Sequence, residues 1–330
     1  MKIAFFSAEQ YDVEFFNRFN VQYGYELDYY DTRLDSHTIN LPENTYAVCV
    51  FVNDKLDASV ISSLAKKGIK LIALRCAGFN NVDLEAARAN NMAVCRVPAY
   101  SPEAVAEHAV AMMLTINRKT HKAYNRVREQ NFSLNGLLGY NIYGKTVGVI
   151  GTGKIGKAFI KIIKGFGAEI LAYDPVQTAG LDNVEYVPLE QLLRESDIIS
   201  LHCPLTEQNY HLLDKETLEL VKPGVTIINT SRGGLINTID MIDALKKKKV
   251  GALCIDVYEQ EENLFFRDLS GNIIDDDIIQ RLMSFPNVLI TAHQAFFTVE
   301  ALSEIARVTL SNIHRVSRGE LLPGMPERVV

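Results

Sequence analysis

Arg232, Glu261 and His293 are chemically versatile residues, and each directly follows a run of strand-like composition, at 226–230, 251–258 and 287–292. If those runs are strands of one parallel sheet, the three side chains arrive at its carboxyl edge, where open α/β sheets bind ligands. A guanidinium placed there holds a carboxylate through two parallel hydrogen bonds. An imidazole titrates near neutral pH and can give a proton to a reacting oxygen or take one away. A carboxylate on its other nitrogen would fix the ring and favour imidazolium. Those are the needs of hydride transfer to a 2-keto acid, whose carbonyl oxygen gains charge as hydride arrives. Each residue also has a plain structural reading. Arg232 could be a helix-start cation, Glu261 a solvated acid beside Glu259 and Glu262, and His293 a hydrogen-bonded strand end.

A source of hydride is suggested upstream. The strand-like run 146–150 leads into Gly151-Thr152-Gly153-Lys154-Ile155-Gly156 and then a helical pattern. A lone G-x-G-x-x-G is weak evidence, but strand, turn and helix in this order are the context a dinucleotide loop needs. Gly151 permits the tight turn, Gly153 lets backbone approach a pyrophosphate, and Gly156 lets helix pack on strand. Lys154 and Ile155 ride in the same loop, at the positive end of the helix. The next strand ends at Asp174, whose carboxylate can accept from ribose hydroxyls and would repel a 2′-phosphate, which favours NAD over NADP. The structural alternatives are a packing turn and a capping aspartate.

The elements that would position these residues alternate along the whole chain. Strand-like runs at 3–7, 26–30, 47–52, 70–75 and 93–97 are interleaved with helical stretches at 57–67 and 84–91. Ser101-Pro102-Glu103 then opens a long helix, expected to reach about Arg128. Its apolar Ala106, Ala109, Val110, Met113 and Ile116 could form a subunit contact or pack on the chain's own sheet. A second series follows at 146–150, 170–174, 197–202, 226–230, 251–258 and 287–292, with helices at 155–166, 189–195, 238–247 and 275–284. The last helix, 298–317, has no strand after it and is expected to return to the first domain. The expected fold class is therefore α/β, with two doubly wound parallel-sheet domains. A discontinuous substrate domain would take 1–100 and 299–330, and a Rossmann-type NAD-binding domain 101–298.

Composition narrows the function classes. With 48% hydrophobic and 22% charged residues over 330 positions, the chain has a globular profile. A net charge of −6 gives no support for nucleic-acid partners. The lysine run 246–249 closes a helix and reads as a solvated face. The five cysteines are widely spaced, without a C-x-x-C pair, which points to a reducing compartment and to no metal. No run approaches the roughly 18 apolar residues of a membrane span, and Met1 to Ser7 reads as a first buried strand, so the expected location is cytoplasmic. Among the other histidines, His202 reads as structural at a strand end, and His108 and His121 as packing or surface residues.

Taken together, Arg75-Cys76-Ala77-Gly78-Phe79-Asn80-Asn81-Val82-Asp83, Val97-Pro98-Ala99-Tyr100-Ser101-Pro102, the glycine loop, Leu201-His202-Cys203-Pro204-Leu205-Thr206, Asn229-Thr230-Ser231-Arg232-Gly233, Asp256-Val257-Tyr258-Glu259 and His293-Gln294-Ala295-Phe296 resemble the D-isomer-specific 2-hydroxyacid dehydrogenase family over essentially the whole chain. The resemblance implies a flavodoxin-like substrate domain, hinges near Ala99 and Phe297, and a homodimer or homotetramer. It implies that Arg232 orients substrate, that His293 is the acid/base, and that Glu261 pairs with it. Backbone N–H groups around Cys76, Ala77 and Gly78 would bind the substrate carboxylate, and Tyr100 and Phe296 would shape a small side-chain pocket. Ile155, Cys203, Pro204, Asn209, Thr230 and Asp256 would line NAD. The implied small-molecule pair is pyruvate and D-lactate. Bulkier 2-keto acids are an alternative, as is an NADH-sensing corepressor of the same fold, against which the short termini argue. A 3-phosphoglycerate enzyme would usually carry a further C-terminal domain.

Overall fold

The computed structural model describes residues 1–177 and 180–330. The chain divides into two compact units, Met1–Ser101 with Phe297–Val330, and Pro102–Phe296.

In the first unit the strands β1 (Lys2–Phe5), β2 (Glu26–Tyr29), β3 (Ala47–Val50), β4 (Leu71–Leu74) and β5 (Ala93–Cys95) form a wholly parallel sheet in the order β2-β1-β3-β4-β5. The central strands β3 and β4 are buried at every residue, as their unbroken apolar sequences require when both faces are covered. The intervening helices are α1 (Gln10–Asn20), α2 (Ala58–Lys66) and α3 (Leu84–Ala89). Aspartates start two of them: Asp57 accepts from the N–H groups of Ser59 and Val60, and Asp83 from that of Ala86.

The second unit opens with α4 (Pro102–Arg118) and α5 (Thr120–Arg128). The single long helix expected here is broken at Lys119, which takes a left-handed φ of 52°. Asn117, buried at the end of α4, explains the break: its side chain accepts from Tyr140 N–H and donates to Tyr140 C=O, which ties the returning chain against the helix end. The α4 face bearing Ala106, Ala109, Val110, Met113 and Ile116 is buried in its own unit with Val147, Val149 and Phe159, so it packs on its own sheet.

The remaining elements of this unit are β6 (Thr146–Ile150), α6 (Lys154–Lys164), β7 (Glu169–Tyr173), β8 (Glu185–Tyr186), α7 (Leu189–Glu195), β9 (Ile198–Leu201), α8 (Lys215–Leu220), β10 (Val225–Asn229), α9 (Thr238–Lys246), β11 (Val250–Ile255), α10 (Asp277–Met283) and β12 (Val288–Ile290). The seven strands are parallel in the order β12-β11-β10-β9-β6-β7-β8. The chain builds outward from β6 through β7 and β8, then crosses to β9 and builds the other way. That reversal between β6 and β9 is a topological switch point, with a crevice at its carboxyl end. Beyond it, α11 (Val299–Ser317) returns to the first unit, burying Ala301, Leu302, Ile305, Ala306, Leu310 and Ile313 in a face that packs on α1 and β4. Sequence patterning missed α1, α8 and the two-residue β8.

Candidate active site

The glycine loop sits at the switch point, between β6 and α6. Gly151 has φ +95°, and a Cβ there would lie 2.6 Å from the carbonyl carbon of His202. A Cβ on Gly156 would lie 2.0 Å from Gly151 O, whereas one on Gly153 would meet nothing within 4 Å. The first and third glycines are therefore demanded by packing, and the second leaves open space. Gly153 also caps α6 without offering it a side-chain acceptor, which leaves first-turn N–H groups for an outside anion. Lys154 is exposed and Ile155 half-buried on that turn.

Asp174 follows β7 and is half-buried. One carboxylate oxygen accepts from Thr152 N–H at 2.7 Å and Thr152 Oγ1 at 3.1 Å, the other from Val176 N–H at 2.9 Å. It thus braces the glycine loop and keeps lone pairs for a further donor. On the β9 side, His202 N–H bonds Ile150 C=O at 2.7 Å. The His202 ring is buried, with Nε2 2.8 Å from Ser200 Oγ, and burial pushes it down to about 3, so it is a neutral structural residue. Burial pushes the Cys203 thiol up to about 11. Asn209 bonds Pro204 C=O and Thr206 N–H, each at 2.7 Å, and so shapes the turn that carries Pro204. The buried Thr230 Oγ1 has no partner among the described residues. An open glycine, an uncapped helix start, a carboxylate at the adjacent strand end and an orphaned hydroxyl together fit a dinucleotide.

The carboxyl ends of β10, β11 and β12 carry the other groups. Arg232 is half-buried; its Nη1 donates to Ser231 C=O at 2.7 Å, and Asn229 Nδ2 holds Arg232 C=O at 2.8 Å. Among the described residues no carboxylate pairs with its guanidinium. Gly233 allows this loop to touch its neighbour, since a Cβ there would lie 2.2 Å from Tyr258 C. Glu261 Oε2 accepts from Tyr258 N–H at 2.9 Å, and Glu261 Oε1 lies 2.9 Å from His293 Nδ1. The carboxylate can only accept, so Nδ1 carries the hydrogen and Nε2, without a partner among the described residues, is the nitrogen that can exchange a proton. His293 itself has a left-handed φ of 52°, and the Phe266 ring stands 5.7 Å from its imidazole.

The Asp256 side chain is 1% exposed, and its carboxylate accepts from Thr291 Oγ1, Gln294 N–H and Ala295 N–H. His108 Nε2 lies 3.1 Å from Thr291 Oγ1 and 3.4 Å from Asp256 Oδ1, beneath the His293 turn. The partners are 183 positions apart, and no sequence pattern joins them. Sequence reading also overlooked a second histidine–carboxylate pair, His211 with Glu259.

The first unit holds Cys76, Ala77, Gly78 and Tyr100. Arg96 Nη1 bonds Ala77 C=O at 2.9 Å and stacks over Phe79, while Val97 N–H holds Cys76 C=O at 3.1 Å. The Ala77 and Gly78 N–H groups have no partner among the described residues. The turn follows Arg75, which is buried and paired with Asp12 at 3.3 Å. Tyr100 is half-buried in that unit, and Phe296 is buried at the end of the second. Among the described residues no His, Cys, Asp or Glu cluster has a metal-binding arrangement, and no helix is long and apolar enough to cross a membrane.

Residues 110–295 match the model of the D-isomer specific 2-hydroxyacid dehydrogenase NAD binding domain. The chain is 54% identical to a 2-hydroxyacid dehydrogenase homolog of Haemophilus influenzae, over 97% of this chain and 98% of that one. It is 53% identical to D-lactate dehydrogenase of Escherichia coli, over 98% and 99%. The apo structure of the Escherichia coli D-lactate dehydrogenase superposes with a TM-score of 0.92 at 50% identity, covering 100% of both chains.

Proposed function

The chain belongs to the D-isomer specific 2-hydroxyacid dehydrogenases and is an NAD-dependent oxidoreductase; from that premise we propose that it interconverts pyruvate and D-lactate, with Arg232, Glu261 and His293 as its acting residues. The observation that carries the assignment is the His293–Glu261 pair, in which one ring nitrogen is anchored at 2.9 Å and the other has no partner among the described residues.

Bound NAD supplies or accepts the hydride at substrate C2. The glycine loop and the first turn of α6 would hold its pyrophosphate, Asp174 would take its adenosine ribose, and Ile155, Cys203, Pro204 and Thr230 would flank it. Arg232 binds the substrate carboxylate through its fork of donors. Protonated His293 gives its Nε2 proton to the carbonyl oxygen, forming the hydroxyl; in the reverse direction Nε2 takes that proton back. Glu261 keeps the ring oriented throughout and stabilises the imidazolium. Phe296 shapes the space for the substrate methyl.

Five free thiols, four of them buried, suit a reducing cytoplasm. A homo-oligomer is supported by exposed apolar side chains on α5 and the segment after it, at Tyr124, Val127, Phe132, Leu134, Leu138 and Tyr143. The deciding assay follows NADH absorbance with pyruvate and then resolves the lactate enantiomers. Fast turnover to D-lactate is expected. Faster turnover on branched 2-keto acids would replace pyruvate as the substrate, and tight NADH binding without turnover on any 2-keto acid would leave a sensor.

A further inference from the structure

The turn that carries His293 is held almost entirely by one buried residue. Asp256 C=O accepts from His293 N–H at 2.7 Å, Asp256 Oδ1 from Gln294 N–H at 2.9 Å, and Oδ2 from Ala295 N–H at 2.9 Å. Two successive amides, those of Gln294 and Ala295, converge on its carboxylate, an arrangement that favours an anion there. The turn needs such a hold, because a left-handed non-glycine residue costs about 1–2 kcal/mol.

A buried carboxylate must in turn be satisfied by donors. Thr291 Oγ1 gives its hydrogen to Asp256 Oδ1 at 2.5 Å, which leaves that hydroxyl as an acceptor. His108, reaching from α4 with a side chain 17% exposed, places Nε2 3.1 Å from Thr291 Oγ1 and 3.4 Å from Oδ1. Both neighbours are acceptors on that side, so Nε2 carries the hydrogen. Burial alone would raise the Asp256 carboxyl above its ordinary value. The hydrogen bond from His108, then those from Thr291, Ala295 and Gln294, outweigh burial and hold it below.

We propose that His108 is a positioning residue for His293: its Nε2–H completes the hydrogen-bond shell of Asp256 through Thr291, and so fixes the 293–295 turn that aims the imidazole. This rests on His293 being the acid/base. His108 does not touch the reacting atoms. It acts through Thr291 and Asp256, so its loss disturbs the aim of the proton donor and leaves the glycine loop untouched.

The test compares His108→Leu, His108→Gln, His108→Asn and Thr291→Val, with His293→Ala in parallel, by kcat, by KM for NADH and by thermal melting. His108→Leu and Thr291→Val should each lose about 10- to 100-fold in kcat, the scale set by misaligned catalytic groups, with KM for NADH within about twofold. Combined, they should lose little more than either alone, because they break one chain of contacts. His108→Gln, whose amide donor reaches nearly as far as Nε2, should restore most of kcat, and the shorter His108→Asn should not. Full turnover in His108→Leu would overturn the proposal. So would equal rates for the Gln and Asn variants, a comparison that stands even if the Leu variant fails to fold. Turnover surviving in His293→Ala would instead remove the acid/base assignment, whatever the His108 variants do.

Discussion

His293 with Glu261 and His211 with Glu259 are two histidine–carboxylate pairs of one unit, built to nearly the same specification. Both histidines are left-handed, with φ of 52° and 55°. Their side chains are 20% and 25% exposed, and those of the glutamates 24% and 22%. The difference lies in what each ring has left over. His211 uses both nitrogens: Nε2 lies 2.5 Å from Glu259 Oε1, and Nδ1 lies 3.3 Å from Asn237 Nδ2. Glu259 also takes bonds from Tyr210 OH and from Thr238 Oγ1 and N–H. That pair is closed and clamps the start of α9 to the loop after β11. Among the described residues the His293 ring is anchored on one side only. On the proposed assignment of His293 as acid/base, burial and pairing alone do not separate a working histidine from a structural one, whereas the remaining hydrogen-bonding valence does.

The sharpest way to break that contrast is alanine at each ring. His293→Ala should lower kcat by about 10²–10⁴-fold, the usual worth of a positioned acid/base, and leave the melting temperature near wild type. His211→Ala should do the opposite, costing about 1–3 kcal/mol of stability by stranding its half-buried partners Glu259 and Asn237, with turnover close to wild type. Equal losses of turnover would erase the distinction. Glutamine at the acids sharpens it on a smaller scale. Glu261→Gln should cost about tenfold or more in kcat as imidazolium loses its counter-charge, and Glu259→Gln should appear chiefly as about 1–2 kcal/mol in denaturant unfolding.

Acid provides a third contrast. Burial pushes the Glu259 carboxyl up, but the hydrogen bonds from His211 and Thr238 outweigh it and hold the group below its ordinary value. A depressed folded value means that this stability is present above the unfolded pKa of about 4.3 and is lost as pH falls through the folded one. The stability gap between wild type and Glu259→Gln should therefore hold from neutrality to about pH 5 and shrink below about pH 4. A gap that widens in acid would show the sign to be wrong. Smallest of all, Tyr210→Phe removes one hydroxyl from a residue 55% exposed and should change stability by no more than about 0.5 kcal/mol. A larger loss would mean that the clamp depends on its exposed rim.

By itself the sequence determined the alternation of strands and helices, the parallel sheets, the glycine loop and the three strand-end positions that carry Arg232, Glu261 and His293. These are short-range facts. A buried parallel strand must be apolar throughout, a tight turn onto a helix must use glycine, and a residue just after a strand must emerge at its carboxyl edge. Tertiary structure decided the rest. It broke the helix at Lys119, through the contact of Asn117 with Tyr140. It turned Asp256 inward and brought His108 to it from α4, and it closed one histidine–glutamate pair while leaving the other open. Each of these outcomes depends on partners far apart in the chain, whose meeting is set by how elements pack; residue type and local spacing carry no record of it.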